Sequence, residues 1–151
     1  MSMISIRNLR ICYGELEVVP DLSVDIERGE FFTLLGPSGC GKTTVLRSIA
    51  GFVSATSGQI LLDGQDITHR PAEQRDVGIV FQNYALFPHM TVGENVAFGL
   101  KVAKRKSNEI NASVDRILDA TGIGDHKDKK PEALSGGQQP RVAIARSLVM
   151  G

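Results

Sequence analysis

The stretch that most constrains this chain is Gly36-Pro37-Ser38-Gly39-Cys40-Gly41-Lys42-Thr43-Thr44. It follows the apolar run Phe31-Phe32-Thr33-Leu34-Leu35 and leads into Val45-Leu46-Arg47-Ser48-Ile49-Ala50, which predicts a strand, a glycine-rich turn and a helix. A triphosphate needs backbone N–H donors at close range, and Gly36, Gly39 and Gly41 let the chain curl without Cβ atoms in the way. The helix expected from about Lys42 adds its positive end. Lys42 is placed to reach β- and γ-phosphate oxygens, and the Thr43 hydroxyl to ligate the Mg²⁺ that bridges them. The pattern G-x-x-x-x-G-K-[ST] in this context is a P-loop. Alone it indicates a nucleoside triphosphate, since kinases, GTPases, motor ATPases and transport ATPases share it.

Composition narrows the partners. The 151 residues suit one domain with its own core, and 17 basic residues balance 17 acidic ones. No net positive field draws such a chain to nucleic acid or to an anionic membrane. Cys12 falls in an alternating strand pattern and Cys40 in the phosphate loop, without metal-like spacing to His or another Cys, so two free thiols suggest a reducing compartment. No apolar run has the length of a membrane span. The expectation is a cytoplasmic chain whose membrane role comes through partners.

Around the P-loop the residues read as follows. Ile4, Ile6, Leu9 and Ile11, then Leu22, Val24 and Ile26, alternate with polar residues as half-buried antiparallel strands do. Residues 31–35 lose that alternation, as a central strand covered on both faces should. Tyr13 fits either strand-end packing or stacking on a purine. Gly51 reads as a left-handed helix cap, residues 59–63 as a strand, Asp63-Gly64 as a turn, and 77–81 as another apolar strand ending at Gln82. Thr91 and Glu94 form a capping box for a helix to about Lys104, and Ser107 caps a helix stopped by Gly122. Before Thr91, residues Ala85, Leu86, Phe87 and Met90 read either as an exposed patch for a partner or as residues buried beneath the following helix. Residues 126–130 read as a solvated loop of mixed charge. Finally Leu134-Ser135-Gly136-Gly137-Gln138 opens a helix with Ser135 as its N-cap, a second helix start suited to an anion.

Taken together, the P-loop, the Gln82 loop in Val80-Phe81-Gln82-Asn83-Tyr84 and the signature Leu134-Ser135-Gly136-Gly137-Gln138 resemble an ATP-binding cassette (ABC) transporter ATPase in order and spacing throughout the chain. Residues 83–92 resemble the importers of the iron, polyamine, sulfate, phosphonate and sugar branch. The resemblance implies an α/β P-loop core sheet, mostly parallel, with an N-terminal antiparallel β-subdomain and a helical subdomain over about 83–134, all within a partial nucleotide-binding domain spanning 1–151. It implies ATP and Mg²⁺ as ligands, Tyr13 as the adenine-stacking ring, and Gln82 on Mg²⁺ and the attacking water. It further implies a dimer in which Ser135, Gly136, Gly137 and Gln138 of one subunit close over the P-loop nucleotide of a second ATP-binding subunit. The segment after Gln82 would dock permease subunits at the cytoplasmic face of the inner membrane, and no nucleic acid is expected. Rival readings are a non-transport ABC ATPase of DNA repair or translation, or another P-loop protein such as a small-molecule kinase.

Two departures from the family pattern carry expectations. The family continues into an apolar Walker B strand ending in Asp-Glu and then a switch histidine, whereas this sequence stops at Gly151. A fragment that binds ATP without hydrolysing it alone is therefore expected. Pro140 stands where the family usually has Gln or another helix former. If the signature helix starts at Ser135, the missing N–H at 140 leaves the Gly136 carbonyl unpaired and the ring crowds it, an interior-proline cost of ~3 kcal/mol unless the helix starts later.

Overall fold

A computed structural model of the chain describes residues 2–150, which divide into two compact units, one ending at Val77 and one beginning at Gly78. Each has its own apolar core.

The first unit is built on a four-stranded sheet of order β2-β1-β3-β4, from β1 (Ser2–Tyr13), β2 (Leu16–Glu27), β3 (Ser57–Leu62) and β4 (Gln65–Asp66). All its ladders are antiparallel. The alternation read in the sequence is the alternation of the pleat: Ile4 faces Ile26, Ile6 faces Val24 and Leu9 faces Leu22 on β2, while Ile6 also faces Ile60 on β3. Ile6, Leu9, Ile11 and Ile60 are fully buried, so a one-residue slip would turn this whole set to solvent. Pro20 lies inside β2, an edge strand, at an irregularity between the Leu9–Leu22 and Ile11–Val19 pairs. There its missing N–H removes nothing from the ladder with β1 that the bulge has not already removed. Asp63 (φ 48°) and Gly64 (φ 78°) are both left-handed, which makes the tight two-residue connection between the Leu62–Gln65 pair of β3 and β4.

Against this sheet packs helix α1 (Lys42–Ile49), with Val45 and Ile49 in the core cluster of Ile6, Leu9, Ile11, Val19, Ile60 and Ile67. Its C-terminal end closes on Gly51 at φ 86°, as the sequence predicts. A Cβ there would meet Arg75 Nε at 2.8 Å. Arg75 is itself 8% exposed, and its guanidinium donates to the Ser48 carbonyl at 2.6 Å, the Ile49 carbonyl at 2.9 Å, the Arg70 carbonyl at 2.8 Å and the Thr68 carbonyl at 2.9 Å. The last carbonyls of a helix lack internal donors and carry its negative partial charge, so one buried cation satisfies both needs.

The second unit is helical: α2 (Val92–Val102), α3 (Ser107–Ala120) and α4 (Gln139–Leu148), with short 3₁₀ turns at Gly124–His126 and Pro131–Ala133. Val92, Val96 and Leu100 of α2 meet Ile110, Val114 and Leu118 of α3 and Val142 and Ala145 of α4 in one buried cluster. The Thr91/Glu94 capping box forms as the sequence predicts. The orphan N–H groups of Val92 and Gly93 are taken by the Lys129 and Lys127 carbonyls, each at 2.8 Å, so the mixed-charge loop at 126–130 is a main-chain cap for α2 as well as a solvated surface.

Three expectations need correction. Residues 31–35 and 77–81 form no strand, and the described residues contain no parallel ladder. A strand exists only beside a hydrogen-bonded neighbour, and neither run has one among the described residues. Phe31 is 95% and Leu35 89% exposed, and only Leu34 of that run packs on the first core. The third concerns Ser107, which is the first helical residue of α3. Extended Lys106 is the N-cap, its carbonyl accepting from Ile110 N–H at 3.0 Å.

Because Arg75 serves four carbonyls at once, Arg75→Leu leaves buried acceptors without donors and should lower the unfolding free energy by about 3 kcal/mol. Urea denaturation reads this directly, and a loss under about 1 kcal/mol would show that water replaces the guanidinium.

Candidate functional site

In the first unit the glycine-rich loop wraps the start of α1. Gly41 is the N-cap of that helix in left-handed conformation (φ 89°), and no side chain caps the helix from there. Its lack of a side chain is required twice. A Cβ would sit 2.9 Å from the Val18 carbonyl of β2, and L-residues avoid this φ. The early N–H groups of α1 thus have neither an internal acceptor nor a side-chain cap. Gly39 (φ 82°) has nothing within 4 Å of where a Cβ would stand, so the loop keeps an open face there. Lys42 Nζ donates to the carbonyls of Gly36 at 2.8 Å and Pro37 at 2.6 Å, with Cys40 Sγ at 3.4 Å. The only charge on the loop is therefore cationic and is held against its first two carbonyls, while Ser38, Gly39, Cys40 and Thr43 are exposed and Thr44 half-buried. Uncapped N–H groups, a left-handed glycine and one ammonium fit a phosphate chain.

Tyr13 ends β1, is 51% exposed and pairs with Leu16 across the β1–β2 turn. That is the end of the hairpin whose Val18 and Val19 touch Gly41. Exposure leaves the Tyr13 ring face open, as stacking on a base requires.

The remaining sequence-predicted residues belong to the second unit. Gln82 is exposed, at the head of a segment that is strongly tied to its own helices. Tyr84 (φ 62°) and Ala85 (φ 45°) are consecutive non-glycine residues in left-handed conformation, each costing about 1–2 kcal/mol of local strain. What holds them is Arg146 of α4, whose guanidinium donates to the Tyr84 carbonyl at 2.9 Å and the Ala85 carbonyl at 2.7 Å and lies 5.5 Å from the centre of the Phe87 ring. Burial lowers the Arg146 pKa from the usual guanidinium range, but arginine remains charged in proteins. The Phe87 ring lies tilted against that of Phe98 with centroids 4.6 Å apart, and Leu86 packs against the helical core. Asn95, fully buried, accepts from Phe87 N–H at 2.8 Å and donates to the carbonyls of Phe87, Met90 and Thr91. Of the two readings of this patch, Leu86 follows the buried one, while Pro88 and His89 stay exposed. Asn95 and Arg146 carry no spacing signal, because their task is to satisfy main chain that is distant in sequence.

At the signature, helix α4 begins at Gln139 with Gln138 as N-cap, so Ser135 is not the cap. Residues 135–138 form a turn in which the Ser135 carbonyl accepts from Gln138 N–H at 3.0 Å and Gln139 N–H at 3.3 Å. Pro140 is the physical reason for the late start. It has no N–H for the Gly136 carbonyl, so the regular ladder resumes only with Val142 N–H on the Gln138 carbonyl at 3.2 Å. Within the first turn of α4 the proline is tolerated. Ser135, Gly136 and Gly137 are exposed, and neither glycine has an atom within 4 Å of its Cβ position. Among the described residues no three His, Cys, Asp or Glu side chains gather to hold a metal.

Arg146→Ala should release the strained pair, so amide exchange across residues 84–90 should rise about tenfold or more while the α2–α3 core keeps its protection. Arg146→Lys should fall between, since an ammonium lacks the planar guanidinium fork that meets both carbonyls and lies over Phe87. Unchanged exchange in Arg146→Ala, read by mass spectrometry, would show that the turn holds itself.

Comparison with known proteins places this geometry. The ABC transporter family model matches residues 19–151. The chain is 53% identical over 150 residues to an uncharacterised ABC transporter ATP-binding protein, y4fO, of Sinorhizobium fredii, covering 99% of this chain and 44% of that protein. It is 53% identical over 145 residues to the spermidine/putrescine import ATP-binding protein PotA of Thermotoga maritima, covering 96% and 39% respectively. For PotA of Escherichia coli K12 the identity is 55% over 147 residues, with 97% and 39% coverage. Among solved structures, cbiO1 of Clostridium perfringens, part of the ABC transporter complex cbiONQ, superposes with a TM-score of 0.87 at 35% identity, over 99% of this chain and 62% of that one. The chain spans about two fifths of the length of these curated relatives. With its P-loop, Gln82 segment and signature turn in family order over nearly its whole length, the chain belongs to the ABC transporter ATP-binding family.

Proposed function

We propose that this chain is the nucleotide-binding portion of the ATP-binding subunit of an importer, and that in the whole subunit ATP binding and hydrolysis drive solute uptake. The observation that carries the reading is the start of α1, where a left-handed Gly41 leaves the helix uncapped beneath the Lys42 ammonium. The loop Gly36, Pro37, Ser38, Gly39, Cys40, Gly41 would hold the phosphates, Lys42 would neutralise them, and Thr43 and Thr44 would complete the cradle, with the Thr43 hydroxyl available to ligate Mg²⁺. Tyr13 stacks on the adenine. Bound ATP supplies the phosphoanhydride whose cleavage powers transport, and this chain's residues bind and orient it. Gln82 would contact Mg²⁺ and the attacking water, as the family resemblance implies. Ser135, Gly136, Gly137 and Gln138 offer an exposed turn to the nucleotide of a second ATP-binding subunit, and the segment after Gln82 meets a permease on the cytoplasmic face of the membrane. No helix of the described residues is long and apolar enough to cross a membrane itself. The names of the PotA relatives make spermidine and putrescine the solutes to test first.

Titration of the chain with a fluorescent ATP analogue should give saturable, Mg²⁺-dependent binding, and Lys42→Ala should weaken it at least ~10-fold, about 1.4 kcal/mol. Equal affinity in the variant would remove the P-loop assignment. Turnover by the isolated chain that disappears in Lys42→Ala would show that hydrolysis needs no residues beyond these 151.

A second check uses Cys40, exposed and 3.4 Å from the Lys42 ammonium, against Cys12, which is half-buried in β1. Alkylation should map first to Cys40, abolish nucleotide binding and be slowed by ATP. Modification of Cys40 with unaltered ATP affinity would mean that the loop does not hold the phosphates.

A further inference from the structure

The signature turn is tied to the rest of its unit by a side-chain relay that nothing in the motif itself requires. Ser135 N–H donates to Gln138 Oε1 at 2.9 Å, and Gln138 Nε2 lies 2.9 Å from His126 Nε2. A backbone N–H only donates, so the Gln138 atom facing Ser135 must be its oxygen, and the atom facing His126 must be the NH₂ group. An NH₂ group only donates as well. His126 Nε2 therefore has to accept, which requires a neutral ring with its proton on Nδ1. His126 Nδ1 is buried and has no hydrogen-bond partner. Reversing the carboxamide does not relieve the arrangement, because its NH₂ would then face the Ser135 N–H. The relay works with one protonation state of one tautomer.

The main chain of the histidine is held on both sides. His126 N–H donates to the Ile123 carbonyl at 3.1 Å, its own carbonyl accepts from Lys129 N–H at 3.0 Å, and the Lys127 and Lys129 carbonyls cap α2. Ile123 is 1% exposed in the helical core. The charged groups around this corner are otherwise engaged or turned elsewhere. Lys127 Nζ pairs with Asp115 at 2.6 Å, the Asp119 carboxylate of α3 lies against Gly124, Arg141 of α4 reaches the Gly122 carbonyl, and Asp125, Asp128, Lys129, Lys130 and Glu132 lie along the same loop. None of them hydrogen-bonds the imidazole. The turn, by contrast, is exposed, and Pro140 has removed the helical donor for the Gly136 carbonyl. The side-chain relay thus supports a stretch of backbone that α4 does not.

We propose that His126 is a positioning residue for the signature turn: its neutral ring holds Gln138 on the Ser135 N–H, and its protonation expels the carboxamide and opens the turn. An imidazolium carries N–H on both nitrogens, so Nε2 would present a donor to a donor at hydrogen-bond distance. With the histidine main chain anchored, Gln138 is the group that yields. The order of this turn therefore follows the protonation state of the His126 ring. The significance of the device rests on the reading of residues 135–138 as the surface that meets a nucleotide, but its test does not.

The experiment is a pH titration of the 151-residue chain by NMR, with separate measurement of ATP affinity. The neutral His126 ring should be the Nδ1–H tautomer by its nitrogen shifts. The Ser135 amide and Gln138 side-chain NH₂ resonances should move together with the midpoint read from the His126 ring itself. His126→Gln places a carbonyl oxygen that accepts from Gln138 at every pH, so the turn should stay closed and the inflection vanish. His126→Phe offers no acceptor and should show the open-turn shifts at all pH values, and a well-dispersed spectrum confirms that each variant folds. An Nε2–H tautomer, a Ser135 amide with no inflection at the His126 midpoint, or an inflection that persists in His126→Gln would each overturn the proposal. Absence of ATP binding with the titration intact would instead count against the functional reading and leave the relay standing.

Discussion

Helix α1 is finished in opposite ways at its two ends, and the first unit depends on that asymmetry. Eight residues give too few internal hydrogen bonds for a helix to stand alone in water. Its C-terminal carbonyls are closed by the buried Arg75 guanidinium. Its N-terminal donors are left open by a glycine that contributes no side chain. The cation at one end neutralises the negative pole of the peptide dipoles, and the positive pole is left without a side-chain cap. Packing of Val45 and Ile49 on the sheet then fixes the direction in which that pole points.

The second unit solves a related problem with different residues. Its loops carry main-chain groups turned away from any ladder, and polyfunctional side chains gather them: Asn95 takes four and Arg146 two. Because a buried unpaired peptide group costs about 1–3 kcal/mol, these side chains decide the path of residues 84–91 more than local propensity does. The same arginine joins the segment after Gln82 to α4, whose preceding turn is the signature. The segment after Gln82 is thereby fastened to the helix that follows the signature.

Local rules made much of this legible in the sequence. The alternation of Ile4, Ile6, Leu9 and Ile11, the Asp63-Gly64 turn, the Thr91/Glu94 capping box and the glycines of the phosphate loop each follow from one or a few neighbouring residues, and each is where it was expected. What the sequence misled on depends on distant partners. Residues 31–35 and 77–81 have strand composition, but a strand needs a neighbour to pair with. Ser135 has the chemistry of an N-cap, yet Pro140 five positions later sets where the regular ladder can begin. Arg75, Asn95, Arg146 and His126 are single polar residues in unremarkable contexts. Their partners are carbonyls or a carboxamide whose nearness only the fold creates.

Pro20 has a consequence beyond the ladder it interrupts. A sheet edge is a row of unmet donors and acceptors that can recruit a strand from another molecule. On its β2 side this sheet ends in a strand broken by a bulge and an imino acid, and on the other side in β4, which is two residues long. Neither border offers a straight template. The sheet is therefore a poor seed for lateral growth into intermolecular β-structure.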